Sequence, residues 1–180
     1  MTSKSNLIKL FLLALIVGVT LRFALRQSPS QPVSVGDTAP DFTLPTLGAG
    51  SLSLRDYRRQ VVLVNFWATW CPPCVEETPG LERFAQQERN QGVTVISISV
   101  DQDANALQRF VTQYRLSFPV ARDPDQAVAS RYGTFKFPET YILDREGKVA
   151  EKVIGPADWQ DPRLLTFVQE LARGGARPGQ

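Results

Sequence analysis

The feature that most constrains the fold of this chain is a pair of cysteines that comes directly after a buried-strand pattern. Val61–Trp67 is a run of β-branched, aliphatic and aromatic residues with a single amide, which is typical of a central strand covered on both faces. A Trp-Cys-Pro-Pro-Cys motif stands at positions 70–74, and a helix is predicted from Cys74 to about Asn90. Both cysteines therefore lie at a turn between a buried strand and a helix.

Cysteines at the beginning of a helix are placed for redox chemistry. The unpaired N–H groups and the positive end of the helix dipole stabilise a thiolate there. Cysteines in such positions have pKa values of about 3.5–7.5, against about 8.5 for a free thiol. We expect Cys71 to be the exposed nucleophile and Cys74 to be the resolving thiol that releases a mixed-disulfide partner. Pro72 and Pro73 suit this turn, because proline at a helix start gives up only N–H groups that have no helical partner.

Two other uses of the cysteine pair stay open at this point. One is an inert structural disulfide, although a two-residue spacer closes too small a loop to restrain the unfolded chain much. The other is half of a zinc site shared between two chains. With two cysteines and no histidine, one chain has too few ligands for a tetrahedral zinc or iron–sulfur site, and it has no Cys-His catalytic pair. We therefore expect no metal and no cofactor.

The first 27 residues are expected to form a membrane anchor. They contain four basic residues and no acid, and the apolar run Leu10–Leu21 is flanked by Lys9 and Arg22, whose long side chains can reach the headgroups. A cleaved signal peptide is the alternative, although no small-x-small cleavage pattern follows the run. Residues 28–35 are predicted to be a tether. Since the whole chain carries +2, the part after residue 27 carries −2 and has no electrostatic footprint for nucleic acid.

The rest of the pattern predicts one α/β domain over residues 36–173 and a flexible tail at 174–180. A parallel strand–helix–strand unit is followed by an antiparallel hairpin, which predicts a mixed central sheet with helices on both faces and an N-terminal β extension. The predicted strands are Asp41–Leu44, Ser51–Leu54, Val61–Trp67, Thr94–Val100, Glu139–Leu143 and Lys148–Ile154. The later predicted helices are Ala104–Tyr114, Asp125–Tyr132 and a last one that is capped by Asp161 and ends at Gly174.

The motifs together resemble a known family. Asn65–Cys74, followed by Glu77, resembles the membrane-anchored thioredoxin-like proteins of the TlpA/ResA type, including the cytochrome c maturation branch. Gly36–Phe42 resembles the opening segment of that family, which peroxiredoxins share, and Phe137–Asp144 resembles its cis-proline segment and the strand after it. The resemblance covers about Val35–Ala172 and implies a thioredoxin-like fold.

The resemblance also implies a docking site for substrate. Pro138 would be the cis-proline that faces the disulfide, and it would leave the backbone of Phe137 free to pair with an incoming chain. Trp70, Pro72 and Pro73 would complete the substrate-binding residues. Lys136 and the bulky Phe137 depart from what relatives often carry at these positions, so the partner preference of a relative does not transfer to this chain.

Glu77 falls where the resembling family carries a glutamate near the resolving cysteine. Thioredoxin itself has a buried aspartate on the central strand, but Asn65 holds that place here and cannot accept a proton. Glu77 is therefore the candidate for proton transfer to and from Cys74, since burial would raise its pKa toward the working pH. The alternative is a first-turn carboxylate that only stabilises the helix dipole, as we expect for Glu76.

The expected function is thiol–disulfide exchange on exported proteins by a membrane-tethered disulfide reductase, with a role in cytochrome c maturation as one branch. Its partners would be protein disulfides and a membrane electron donor, and it would be a monomer without a nucleic-acid partner. It would cross the inner membrane once, with the domain facing the periplasm. The Cys-Pro-Pro-Cys motif alone does not set the direction of electron flow.

Two other functions remain as alternatives. Gly36–Phe42 suggests a peroxiredoxin-like peroxidase, although Ala68 stands three residues before Cys71, where peroxiredoxins have threonine or serine. The other alternative is a non-catalytic metal or haem carrier that uses the cysteine pair as ligands. Apart from Met1 and the pair, the chain has no methionine, cysteine or histidine to serve as a further soft ligand.

Overall fold

The computed structural model describes residues 8–9, 11–18 and 32–174, and the chain divides into two compact units, Met1–Gln31 and Pro32–Gln180. In the first unit, residues 8–9 and 11–18 are helical, and their large apolar side chains are exposed. Across the described ranges, no helix combines the length and the apolar character that a bilayer crossing requires. The other residues of the predicted anchor, tether residues 28–31 and tail residues 175–180 lie outside the described residues.

The second unit contains a five-stranded mixed sheet in the order β5-β4-β3-β6-β7. The parallel pairs are β3 with β4 and β4 with β5, whereas β6 is antiparallel to both β3 and β7. A separate antiparallel hairpin, β1 with β2, forms the N-terminal β extension. The strands are β1 (Thr43–Pro45), β2 (Ser51–Ser53), β3 (Val61–Trp67), β4 (Val93–Ser99), β5 (Val120–Arg122), β6 (Glu139–Leu143) and β7 (Val149–Ile154).

Within residues 32–174, four α-helices accompany the sheet. They are α1 (Pro72–Glu88), α2 (Ala104–Tyr114), α3 (Ala127–Tyr132) and α4 (Pro162–Ala172), with 3-10 turns at Leu54–Tyr57 and Arg89–Gln91. The predicted caps are confirmed: the side chain of Asp103 accepts the N–H of Asn105, and the side chain of Asp161 accepts the N–H of Arg163.

Strand β3 forms the centre of the core, and all seven of its side chains are buried. Successive side chains of a strand point to opposite faces. Asn65 contacts Glu77 of α1 on one face, and Phe66 packs against Tyr132 of α3 on the other, with ring centroids 5.2 Å apart. Helices therefore cover both faces of the mixed sheet, as the sequence predicts.

Several elements differ from the predictions, among them β5, α1 and β1. The sequence does not show β5, because its three residues are too few for a periodic pattern and follow directly after Pro119. Helix α1 begins at Pro72 and not at Cys74, since Cys71 takes the N-cap position and prolines occupy the first two helical positions. The helix continues through Pro79. Strand β1 begins at Thr43 and not at Asp41.

The segment Pro32–Val35, which the sequence assigns to the tether, packs on the folded unit. Val33 is buried, and its N–H donates to the carbonyl of Tyr132 at 3.1 Å. Gly133 has a φ of +73°, and a Cβ built on it would lie 2.7 Å from Cα and Cβ of Pro32. The start of this unit therefore lies directly against the loop that leads from α3 to Pro138.

Candidate active site

The two cysteines form a disulfide at the first turn of α1, with Cα atoms 5.3 Å apart. Strand β3 delivers the chain to a short turn, in which the N–H of Cys71 donates to the carbonyl of Ala68 at 3.2 Å. The carbonyl of Cys71 then accepts the N–H groups of Cys74 and Val75, at 3.0 and 3.1 Å. These bonds start the helix directly after its N-cap, Cys71, so the disulfide lies at the helix N-terminus, as the sequence predicts.

Both cysteines are buried in the disulfide form. Cys71 exposes 5% of its surface and Cys74 1%. The expectation of an exposed Cys71 is therefore wrong for the disulfide form. Trp70, in contrast, is 63% exposed. The exposed surface of the motif is thus mostly indole and proline.

The turn before Cys71 is held by a buried carboxylate that the sequence analysis does not identify. Asp101 accepts the N–H of Thr69 at 2.9 Å and its hydroxyl at 2.6 Å. It also accepts the hydroxyl of Ser99 at 2.7 Å. Asp101 lies two residues after β4, which runs parallel to β3, so both strands end at the same edge of the sheet. That placement is the signal that could have identified it.

Glu77 is buried one turn along α1, with 7% of its surface exposed. Its Oε1 accepts the side-chain amide of Asn65 at 3.2 Å, and its Oε2 accepts the N–H of Ala157 at 3.1 Å and the indole N–H of Trp159 at 3.3 Å. Burial raises the pKa of the Glu77 carboxyl above its ordinary value, and the three donors act against that rise. Asn65 also donates to Thr140 Oγ1 at 2.9 Å.

Trp159 and Thr140 belong to this network, but the sequence analysis did not select them. Trp159 is fully buried, and Thr140 stands opposite Asn65 in the register of β6 against β3. A tryptophan two residues before a helix cap can be recognised as a core residue, but its hydrogen-bond partner, 82 positions earlier in the chain, is set by the tertiary fold. The structure therefore adds two residues to the surroundings of Glu77.

The loop before β6 carries the expected cis bond, between Phe137 and Pro138. The ring of Phe137 meets the indole of Trp70 edge-on, with centroids 6.1 Å apart, so this loop and the cysteine turn are neighbours. The carbonyl of Pro138 accepts the N–H of Gly155 at 2.9 Å. Within residues 32–174, neither the N–H nor the carbonyl of Phe137 has a hydrogen-bond partner.

A second buried carboxyl group follows the cis-proline but belongs to the opposite face of the sheet. Glu139 pairs in register with Phe66, whereas Thr140 pairs with Asn65. Oε1 of Glu139 lies 2.7 Å from Nζ of Lys152 and accepts a hydrogen bond from the hydroxyl of Tyr141, also at 2.7 Å. This pair is separated from Glu77 by the sheet, so we treat Glu77 alone as a neighbour of Cys74.

The model of the AhpC/TSA family matches residues 35–152 of the chain. Curated relatives include the thiol-disulfide oxidoreductase ResA of Bacillus anthracis, which is 33% identical over 155 residues, 84% of this chain and 90% of that protein. ResA of Bacillus subtilis (strain 168) is 33% identical over 125 residues, 69% of this chain and 70% of that protein.

Solved structures agree with the sequence comparison. The thioredoxin domain of a thiol-disulfide oxidoreductase from Bacteroides vulgatus superposes with a TM-score of 0.67 at 26% identity, over 76% of this chain and 99% of that one. A secreted thiol-disulfide isomerase from Corynebacterium glutamicum gives a TM-score of 0.68 at 27% identity, over 75% of this chain and 85% of that one. The thioredoxin-like fold is thus shared with thiol–disulfide oxidoreductases.

Proposed function

The chain belongs to the AhpC/TSA family and is a thiol–disulfide oxidoreductase like its ResA relatives, and from this we propose that it is a membrane-tethered reductase of disulfides in exported proteins. The observation that carries the proposal is the arrangement at the start of α1. A disulfide occupies the first turn, and a buried carboxyl group lies one turn further along the same helix.

The reductive cycle begins with both cysteines as thiols. The N-terminus of α1 stabilises the thiolate of Cys71, which attacks one sulfur of the substrate disulfide. A mixed disulfide forms and the first substrate thiolate leaves. The sulfur of Cys74 then attacks Cys71, forms the disulfide seen in the structure and releases the second substrate thiolate. Two electrons have passed from the protein to the substrate, and a membrane electron donor restores the dithiol.

Glu77 is the proposed proton acceptor for Cys74. Residues three apart on a helix are neighbours on its surface, with Cβ atoms about 5–6 Å apart. Both side chains are buried, so water has little access to the thiol. Burial raises the pKa of Glu77, which brings it closer to the working pH that a general base requires. The donors from Asn65, Ala157 and Trp159 orient the carboxylate and stabilise its charged form.

Substrate docking is proposed for the surface between the cysteine turn and the cis-proline loop. The free N–H and carbonyl of Phe137 offer the hydrogen bonds of a short β-pairing to an extended chain. Trp70, Pro72, Pro73 and Pro138 border this position along with Phe137. Because the disulfide is buried, a folded surface would not reach it, and an extended segment is the shape that fits.

The membrane tether and the periplasmic location are also proposals. Large apolar side chains are exposed on the described helical residues of the first unit, and basic residues flank the apolar run in the sequence. The Corynebacterium relative in structure is described as secreted, which supports a location outside the cytoplasm. Apocytochrome c is a candidate substrate through the family resemblance, alongside other exported proteins.

The proposal is tested by trapping the substrate intermediate. We expect Cys74→Ser of the full-length protein to accumulate a mixed disulfide through Cys71 with a disulfide-containing peptide, because the resolving thiol is gone. Mass spectrometry after alkylation identifies the adduct. Cys71→Ser is the matched control and should trap nothing. Peroxide consumption without any trapped peptide would instead indicate a peroxidase.

A further inference from the structure

Exposed aromatic residues occur close to the disulfide. Within residues 32–174, the exposed aromatic side chains are Trp70, at 63%, and Phe135, at 79%. One directly precedes Cys71, and the other lies three residues before Pro138. A side chain of this size that stays in water forgoes the free energy that its burial would contribute. This surface is therefore costly for the free protein and is suited to contact with a partner.

We define the aromatic rim as Trp70, Phe135 and Phe137. The rings of Trp70 and Phe137 are 6.1 Å apart and connect the cysteine turn to the loop. Phe135 is two residues from Phe137, so their Cα atoms lie within about 7.6 Å of each other. A polypeptide that pairs with the backbone of Phe137 therefore comes within reach of the Phe135 ring.

The rim also has a charge pattern. Lys136 lies between the two phenylalanines, is exposed, and forms no ion pair with any residue of the described domain. Glu76 is the exposed acid of the first turns of α1, close to the other end of the motif. The loop side of the aromatic rim thus carries the base Lys136, which a carboxylate on the partner would meet.

We propose that Phe135 and Lys136 are specificity-determining residues that select extended polypeptides whose reactive cysteine is flanked by a large apolar side chain and a carboxylate. The inference deepens the proposed function and rests on it. A polypeptide fits better than a lipid surface, because the unpaired N–H and carbonyl of Phe137 match a peptide backbone and stand beside the rim. A lipid headgroup would leave that carbonyl unused.

The test uses reduced full-length protein and four short peptides. Each peptide carries one cysteine that is disulfide-linked to thionitrobenzoate, with Phe or Ser before the cysteine and Glu or Lys after it. The protein's thiolate attacks the peptide sulfur, thionitrobenzoate leaves, and the resolving thiol then frees the peptide thiol as the protein disulfide closes. The second-order rate constant is divided by that for dithiobis(nitrobenzoate), which corrects for changes in thiol reactivity.

We expect the wild-type protein to prefer the peptide with Phe and Glu. Phe135→Ala should lower the corrected rates of the Phe peptides about 5–10-fold and leave those of the Ser peptides, whereas Phe135→Leu should retain most of the rate. The corrected rate of the wild-type protein should be about 5-fold higher with Glu peptides than with Lys peptides. For Lys136→Glu it should be about 5-fold higher with the Lys peptides. Lys148→Glu, the same charge change at an exposed position in the turn between β6 and β7, is the matched control and should alter neither preference.

Other results would overturn the inference. Equal proportional changes for all four peptides would mean that Phe135 and Lys136 only support the loop. Unchanged peptide preferences, combined with weaker binding of the variants to vesicles of phosphatidylcholine and phosphatidylglycerol, would assign these residues to a membrane surface. If wild-type protein reacts with neither the peptides nor dithiobis(nitrobenzoate), the proposed function itself fails and the specificity inference fails with it.

Discussion

Glu76 and Glu77 are adjacent residues of α1, but only Glu77 is buried. Three donors contact the Glu77 carboxylate, and burial raises its pKa. Burial of the Glu77 carboxylate therefore opposes folding, and the raised pKa suits the same group to proton transfer. Glu76, at the surface, provides the comparison that separates these effects.

Glu77→Gln should slow the step in which Cys74 resolves the mixed disulfide by about 10-fold or more at neutral pH. General-base catalysis contributes typically 10²–10⁴-fold, and water can replace part of it. In the wild-type protein this rate should rise with pH as Glu77 loses its proton, and the variant should lack that titration. Stopped-flow rates between pH 5 and 9 measure both effects, with Glu76→Gln as the control.

Stability gives a second readout for the same pair of variants. Because the folded-state pKa of Glu77 is raised, the unfolded chain releases this proton first as pH rises. The contribution of Glu77 to stability is therefore fully present below its unfolded pKa and is lost as pH rises through the folded one. Glu77→Gln should remove this fall in the free energy of unfolding. If the free energy of unfolding changed with pH in the same way for Glu77→Gln and Glu76→Gln, the role assigned to Glu77 would be contradicted.

At the scale of elements, the loop from α3 to β6 is held by the first residues of the folded unit. Tyr132 accepts the N–H of Val33 and also the hydroxyl of Tyr141, so its carbonyl connects the N-terminal segment to β6. Gly133 allows Pro32 to approach the loop closely. The position of Phe137 and Pro138 therefore depends on residues more than 100 positions earlier in the chain.

Gly133→Ala should destabilise the protein by more than Gly147→Ala does. Both glycines have positive φ, +73° and +80°, so alanine brings similar backbone strain at each, about 1–3 kcal/mol. Only at Gly133 would the new Cβ lie 2.7 Å from Pro32, while nothing lies within 4 Å at Gly147. We expect the free energy of unfolding, measured in urea, to fall by at least about 1 kcal/mol more for Gly133→Ala. Equal losses of unfolding free energy in the two variants would show that Pro32 can move away from the new Cβ at little cost.

The elements also show what the sequence could and could not predict. The strand Val61–Trp67 is recognisable as a continuous buried run, and the helix Ala104–Tyr114 by the helical spacing of its apolar residues. Strand β5 has only three residues and is defined by its pairing with β4. No local sequence pattern predicts that pairing. The cysteine pair and Pro138 are local motifs. Asp101, Thr140 and Trp159 are not, because their partners are 32 to 82 positions away.

At the scale of the whole molecule, the proposals require the domain to lie outside the cytoplasm. The Cys74→Ser variant has one thiol, Cys71. We expect an impermeant maleimide to label it in intact spheroplasts after reduction. A comparison variant that lacks both cysteines and carries Ser3→Cys, at the basic start of the chain, should be labelled only after lysis. Protection of Cys71 until lysis would overturn the proposed orientation.

The central claim is that Cys71 and Cys74 form a reversible redox couple in a reductase. We would titrate the full-length protein against defined thiol–disulfide buffers and follow the couple by mass after alkylation. The account predicts one two-electron transition with a midpoint at or below about −230 mV, in the range of thioredoxin and the glutaredoxins. A midpoint near about −120 mV would make the protein an oxidant. A pair that never equilibrates would contradict the account and leave an inert disulfide on a thioredoxin-like fold.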